Sequence, residues 1–178
     1  MKLTTPCCTE RSRRIYMPDR VADELAIRGL TARFNHMADQ LRGADCAAAF
    51  TENGVLEAAG RLEGRAAIAA FFDAQAHGEP VDIGFGKTGH LFSTVHATTD
   101  NVITIEGDKA TQVSYMLVFR QVPRELAREG LYVITHRWDD RLVRTDAGWL
   151  FEHRIMNVLQ TNANPDATAQ NLRLPTHP

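Results

Sequence analysis

The sequence predicts an α+β domain in which a curved, cone-shaped antiparallel β-sheet wraps around a long N-terminal helix. Three observations predict it. Apolar residues recur at helical spacing from Val21 to Leu41. Segments of strand-like alternation take over after residue 94. Between those segments stand two tight-turn signals, Glu106-Gly107-Asp108-Lys109 and Thr145-Asp146-Ala147-Gly148. A long helix laid into a bent sheet leaves an open mouth, and the interior of such a cone is a natural small-molecule pocket.

Taken in order, residues 1–18 read as an irregular, solvated arm with a short basic cluster, Arg11 to Arg14. Asp19 is placed to cap the first helix, whose apolar face is Val21, Leu25, Leu30, Phe34, Met37 and Leu41. Gly43 is expected to close it. A short second helix over 45–50 leads into a turn, Thr51-Glu52-Asn53-Gly54, then a small hairpin over 55–59 and 61–62. A third helix over 65–75 puts Ile68, Phe71 and Phe72 on one face, and 77–91 is a Gly-containing loop with His77 and His90 near its ends. Strands follow at 94–106, 109–121, 131–144 and 148–158, with a polar connection over 122–130. The domain is therefore bounded at 19–160. From residue 161 the chain turns polar, with Pro165, Pro175 and Pro178, and reads as a tail.

A length of 178 residues suits one domain with a sizeable core. The formal net charge is −2 with both signs interspersed, which argues against a nucleic-acid surface. No apolar run approaches the ~20 residues of a membrane span, and the N-terminus has no apolar core of a secretory signal. Cys7, Cys8 and Cys46 do not make a disulfide framework, so reduced thiols and a cytoplasmic location are expected. The seven histidines form no HxH or HExxH cluster, and no metal site is expected. Neither a GxGxxG nor a P-loop pattern supports nucleotide binding, and no GxSxG elbow offers a serine nucleophile.

Two residues carry the chemistry. Asp39 ends the first helix and His96 opens a strand. A carboxylate and an imidazole supplied by different elements can meet in one cavity. There the carboxylate fixes the imidazole tautomer and raises its basicity, which suits proton abstraction near neutral pH. His136 and Trp138 lie two apart in a strand and share a face, with Trp138 a candidate wall for an apolar or aromatic substrate.

Four segments then resemble a known family. They are Phe34-x4-Asp39 followed by Ala44-Asp45-Cys46-Ala47-Ala48-Ala49-Phe50; Gly60-x3-Gly64-Arg65-Ala66-Ala67-Ile68; His96-x2-Thr99-x3-Ile103-x3-Gly107-Asp108; and Trp138-x-Asp140-Arg141-Leu142 running to Trp149. In this order and spacing the chain resembles the SnoaL-like family of the nuclear transport factor 2-like superfamily, in the branch of scytalone dehydratase, hexachlorocyclohexane dehydrochlorinase and bile-acid 7α-dehydratase. The resemblance implies a cofactor-free lyase with Asp39 and His96 as its catalytic pair, acting on a small-molecule substrate. It equally implies relatives that isomerise double bonds, cleave carbon–carbon bonds or only bind ligands, since fold alone does not fix function.

The chain departs from the pattern at Phe34, where relatives often carry a tyrosine that assists the leaving group. Tyr115 is the candidate hydroxyl to replace it, with His136 or water as other donors. Arg154 falls where relatives sometimes carry a cavity arginine able to bind a carboxylate or stabilise an oxyanion. The family also implies a homo-oligomer, dimer or trimer, consistent with an open sheet face that needs cover.

Overall fold

The structure, a computed structural model, describes residues 20–58, 60–76, 81–82, 88–89, 94–121 and 131–161. The arm over 1–18, Asp19, His77, His90, the connection over 122–130 and the tail beyond 161 lie outside the described residues. The elements in chain order are α1 (Arg20–Asp39), α2 (Gly43–Ala48), β1 (Phe50–Glu57), β2 (Arg61–Glu63), α3 (Gly64–Ala76), β3 (Val81–Asp82), β4 (Thr88–Gly89), β5 (Thr94–Glu106), β6 (Lys109–Gln121), β7 (Leu131–Thr145) and β8 (Gly148–Thr161). Strands β5 to β8 match the expected ones, except that β7 runs one residue further to Thr145 and β8 runs beyond 158 to Thr161.

One six-stranded sheet has the order β2-β1-β8-β7-β6-β5, and β3 pairs with β4 apart from it. Every neighbour in the large sheet is antiparallel except β1 with β8, which run parallel. Side chains alternate across a strand, so the register fixes which residues share the face under α1. His96, Val118 and Ile134 form one row of that face. Thr98, Met116, His136 and Val158 form the next, then Ser114, Trp138 and Met156, then Gln112, Asp140 and Arg154.

Helix α1 buries Ile27, Leu30, Phe34 and Ala38 against this face. Phe34 meets Phe50, Phe72 and Phe151 edge-on at centroid distances of 5.7, 6.0 and 6.0 Å. Burying each such ring is worth about 1.5–3 kcal/mol. The same helix also carries a polar row, spaced in multiples of four residues, that is bonded rung by rung to the sheet. Asp23 accepts from Arg144 and from the Trp149 Nε1. Thr31 accepts from Gln112 at 2.9 Å, Asn35 donates to Thr98 at 2.6 Å, and Asp39 meets His96. The helix is therefore locked along the sheet by directional bonds as well as by apolar contact.

Two expectations are corrected. Gly43 does not close α1; it opens α2. Leu41 takes the left-handed conformation instead, with φ 53°. Arg42 N donates to Met37 O and Leu41 N to Ala38 O, which is the paired bonding of a Schellman ending. Gly43 is glycine because α2 crosses α3 closely: a Cβ there would lie 2.4 Å from the Ala69 carbonyl oxygen. Lastly, 51–54 is not a turn but part of β1, where the register against β8 jumps between Phe50 and Val55. Gly54 serves that bulge, since a Cβ would lie 2.8 Å from Phe50 Cβ.

Candidate active site

The ending of α1 sets the position of Asp39. It is the last helical residue before the chain turns at Leu41, and its carboxylate faces β5 across one wall of the fold. His96 lies two residues into β5, on the inner face. Asp39 Oδ1 and His96 Nδ1 stand 2.5 Å apart, and the His96 backbone N–H donates to Asp39 Oδ2 at 3.3 Å. Both carboxylate oxygens are thus engaged by one residue. Side-chain exposures are 18% for Asp39 and 19% for His96, so the pair is largely enclosed yet reachable. With Nδ1 bonded to the carboxylate, the tautomer is fixed: Nδ1 carries the proton and Nε2 presents its lone pair.

His136 lies next to this pair on the inner face and is 4% exposed. Neither ring nitrogen has a partner among the described residues. Burial, with the nearby charges of His96 and Arg120, pushes its pKa down to about 4. His136 is therefore neutral at pH 7 and is a hydrogen-bonding group there, not a proton-donating acid.

Deeper along the same face, Arg154 is fully buried. Its Nε donates to Asp140 Oδ1 at 2.9 Å, and Gln112 donates to Asp140 Oδ2 at 3.0 Å. The guanidinium lies over Phe151, Trp138 and Phe34 at 4.2, 4.4 and 4.8 Å from their centroids. Burial pushes Asp140 up and Arg154 down, each opposed by the other's charge. The pair is internal, not at the surface, and Asp140 orients Arg154.

The structure brings together Asp39, His96, His136, Trp138, Arg154 and Phe34 on the inner side of the sheet. It does not bring Tyr115 there. Tyr115 sits on the opposite face, 47% exposed, so it cannot supply the hydroxyl missing at Phe34. The physical reason is the unusual patterning of β6: polar Gln112 and Ser114 point inward while Val113 and Tyr115 point out. His36 is exposed, and His153 turns to the outer face, 2.9 Å from Glu57. Sequence reasoning missed Asn35, Thr98, Gln112 and Ser114. The polar row at Asp23, Thr31, Asn35 and Asp39 was the available signal, because polar residues spaced in multiples of four beside an apolar stripe must be bonded to something. No group of metal-ligating side chains occurs among the described residues. None of their helices is long and apolar enough to cross a membrane.

A curved sheet closed over an N-terminal helix, with a carboxylate–imidazole pair inside it, defines an α+β protein of the nuclear transport factor 2-like, cystatin-like class. The chain belongs to the SnoaL-like domain family, whose model matches residues 19–155. Among solved structures, an NTF2-like protein with a cystatin-like fold from Novosphingobium aromaticivorans is 30% identical, with a TM-score of 0.59 over 79% of this chain and 84% of its own. A function-unknown protein from Mycobacterium tuberculosis is 25% identical, with a TM-score of 0.65 over 79% of each chain. A type 2 hexachlorocyclohexane dehydrochlorinase shares the fold at 15% identity, with a TM-score of 0.63 over 82% of this chain and 91% of its own. No curated protein matches this chain.

Proposed function

We propose that this protein is a cofactor-independent lyase that eliminates water, or a comparable leaving group, from a small apolar or aromatic carbonyl compound. The observation that carries this reading is the 2.5 Å contact between Asp39 and His96, which leaves His96 Nε2 as a directed base. Nε2 takes the proton from the carbon next to the carbonyl. The electron pair of that C–H bond becomes the new C=C bond as the β C–O bond breaks. The proton then passes from Nε2 to the departing hydroxide, water leaves, and His96 returns to its starting state. No group on Phe34 or Tyr115 is needed in this sequence. Asp39 stabilises the imidazolium that forms in between. One positioned base contributes about 10²–10⁴-fold, and enclosure supplies orientation.

The same base returning its proton to a different carbon would isomerise a double bond, so elimination and isomerisation differ only in whether a group departs. The walls that Phe34, Trp138 and Phe151 form around Arg154 favour an apolar or aromatic frame in the substrate. Exposed Val95, Val113, Tyr115 and Leu159 on the outer sheet face support self-association as a dimer or trimer. A cytoplasmic location, expected from the cysteine usage, belongs to the same reading.

The test is a screen of β-hydroxy carbonyl compounds with the wild-type protein and His96→Ala. The variant is expected to lose turnover by at least about 10²-fold while keeping its melting temperature and ligand affinity. Turnover that survives His96→Ala overturns the base assignment.

A further inference from the structure

The rung next to the dyad joins the Asn35 side-chain amide to Thr98 Oγ1 at 2.6 Å. Asn35 is 6% exposed, and Thr98 is partly buried on the same face of β5 as His96, two residues further on. An amide N–H can only donate, so Thr98 accepts in this bond and keeps its own hydroxyl proton to give. Asn35 is its single side-chain partner among the described residues. The proton is therefore free, and the amide holds the oxygen that carries it.

Elimination of water makes a demand that the dyad meets only in part. Hydroxide is a poor leaving group, and negative charge gathers on its oxygen as the C–O bond breaks. A hydrogen-bond donor aimed at that oxygen lowers the barrier where the charge develops. Phe34 has no such donor, and Tyr115 lies on the other face of the sheet. We propose that Thr98 is a catalytic residue of this site: its hydroxyl, oriented by Asn35, hydrogen-bonds the departing oxygen of the substrate while His96 holds the α-proton. This rests on the elimination reading above and supplies its leaving-group site. Thr98 keeps its proton throughout. The electron pair of the α C–H bond becomes the C=C bond, the pair of the β C–O bond leaves with the oxygen, and the proton held on His96 Nε2 completes the water.

The spacing fits this chemistry. Two residues along a strand span about 6.6 Å. A base about 3–3.5 Å from one carbon and a hydroxyl about 3 Å from the oxygen on the next carbon bridge that gap along a bent path. The two groups are also preorganised together. Asp39–His96 and Asn35–Thr98 are adjacent rungs between the same helix and the same strand, so one packing contact sets both the base and the donor. His136 offers two ring nitrogens with no partner among the described residues. It stands in the Thr98 row but two strands away, beyond Met116, so it faces the far side of a molecule seated against β5.

The experiment compares leaving groups on the full-length protein. 4-Hydroxy-4-phenylbutan-2-one and 4-chloro-4-phenylbutan-2-one give the same enone, but chloride departs readily and accepts hydrogen bonds weakly. Proton exchange at C3 of 4-phenylbutan-2-one, which has no leaving group, is followed by NMR in D2O and reports the base alone. Thr98→Val is expected to lose at least about tenfold in kcat on the hydroxy ketone, the value of a hydrogen bond to a charged group, and less than about threefold on the chloride and in exchange. Thr98→Ser, which restores the hydroxyl, should recover most of the lost turnover. Asn35→Leu combined with Thr98→Val removes both partners and leaves no unpaired amide, so it keeps the fold and should show the same split. An equal fall on all three compounds marks a merely structural threonine and overturns the proposal, as does a hydroxy-ketone rate indifferent to Thr98→Val. A selective loss in His136→Phe with none in Thr98→Val moves the donor to His136 and overturns it too. Exchange that depends on His96, without the leaving-group split, removes Thr98 alone. Neither exchange nor elimination by the wild type removes the base and, with it, this role for Thr98.

Discussion

The Asn35 side-chain amide donates to the Thr98 hydroxyl at 2.6 Å, one helical turn from Asp39 and two strand residues from His96. The two rungs between α1 and β5 are thus in step. Four helical residues rise about 6 Å and two strand residues about 6.6 Å, so both side-chain pairs meet without bending either element. Asn35 is 6% exposed, and its bond holds the end of the helix where Asp39 can reach His96.

Asn35→Ala should loosen that rung. On the elimination reading, the expected result is a fall in kcat of about tenfold, from a less well-held base, with KM little changed. The pH dependence of kcat should shift as Asp39 engages His96 less firmly. A purely structural asparagine would lower the melting temperature and leave the pH profile in place, so kcat measured across pH decides it. Asn35→Gln, which keeps the amide at a different reach, should not restore the wild-type profile.

His136 gives a pH dependence of stability with a definite sign. Its pKa falls from an ordinary 6.5 to about 4 in the folded chain, mainly through burial. A base with a depressed folded pKa contributes stability that is complete above pH 6.5 and is lost as pH falls toward 4. The loss from this one group is about 3 kcal/mol at about 1.36 kcal/mol per pH unit. Urea unfolding of the wild type between about pH 7 and pH 4 should show it. His136→Phe should flatten the curve over that window. An unchanged slope would mean that the imidazole is not held neutral by its surroundings.

Much of this was legible in the sequence. The turn signals at Gly107 and Gly148 and the alternation around them place β5 to β8 nearly to the residue, because each hairpin and its period reinforce one another. Asp39 and His96 were legible as a pair only through their positions in the family's order of elements; their contact depends on the helix end and the β5 register together. Which way β6 faces was not legible. Its apolar residues Val113 and Tyr115 point outward, so alternation alone assigns the wrong face, and the inward polar set at Gln112 and Ser114 becomes visible only with the cross-strand register. The extent of β1 was missed for a related reason: Asn53-Gly54 carries turn chemistry that the fold uses for a bulge.

Gly43 illustrates the same limit and carries a prediction. A glycine at the end of a helical pattern is an ordinary stop signal, but here the backbone turns two residues earlier at Leu41. A Cβ on residue 43 would lie 2.3 Å from Asp73 Oδ1 and 2.4 Å from the Ala69 carbonyl oxygen. The Asp73 side chain can move, whereas the carbonyl belongs to the backbone of α3. Gly43→Ala is expected to destabilise the fold by about 1–3 kcal/mol, the usual cost of overpacking. Guanidinium unfolding measures it, and a neutral result would show that α2 can slide along α3 freely.

The far end of α1 is held by charge, and its pH window is distinct from that of His136. The Asp23 carboxylate accepts from Arg144 Nη1 at 2.6 Å, from Nη2 at 2.5 Å and from Trp149 Nε1 at 3.0 Å. Those bonds, that of Arg144 foremost, hold its pKa below the usual 3.8 against the opposing effect of burial. A carboxylate with a depressed folded pKa contributes stability that is full above about pH 4 and is lost as pH falls through the folded value. Acid unfolding below about pH 4 should therefore be steeper in the wild type than in Asp23→Asn, which has no carboxylate to protonate. At neutral pH, Asp23→Asn should cost about 1.5–3 kcal/mol, the value of hydrogen bonds to a charged group. Because this clamp lies at the opposite end of the helix from Asp39, its loss should lower the melting temperature while leaving the pH profile of any His96-dependent turnover in place. A shift in that profile would mean instead that α1 moves as one rigid lever, and that the Asp39–His96 distance is set from both of its ends.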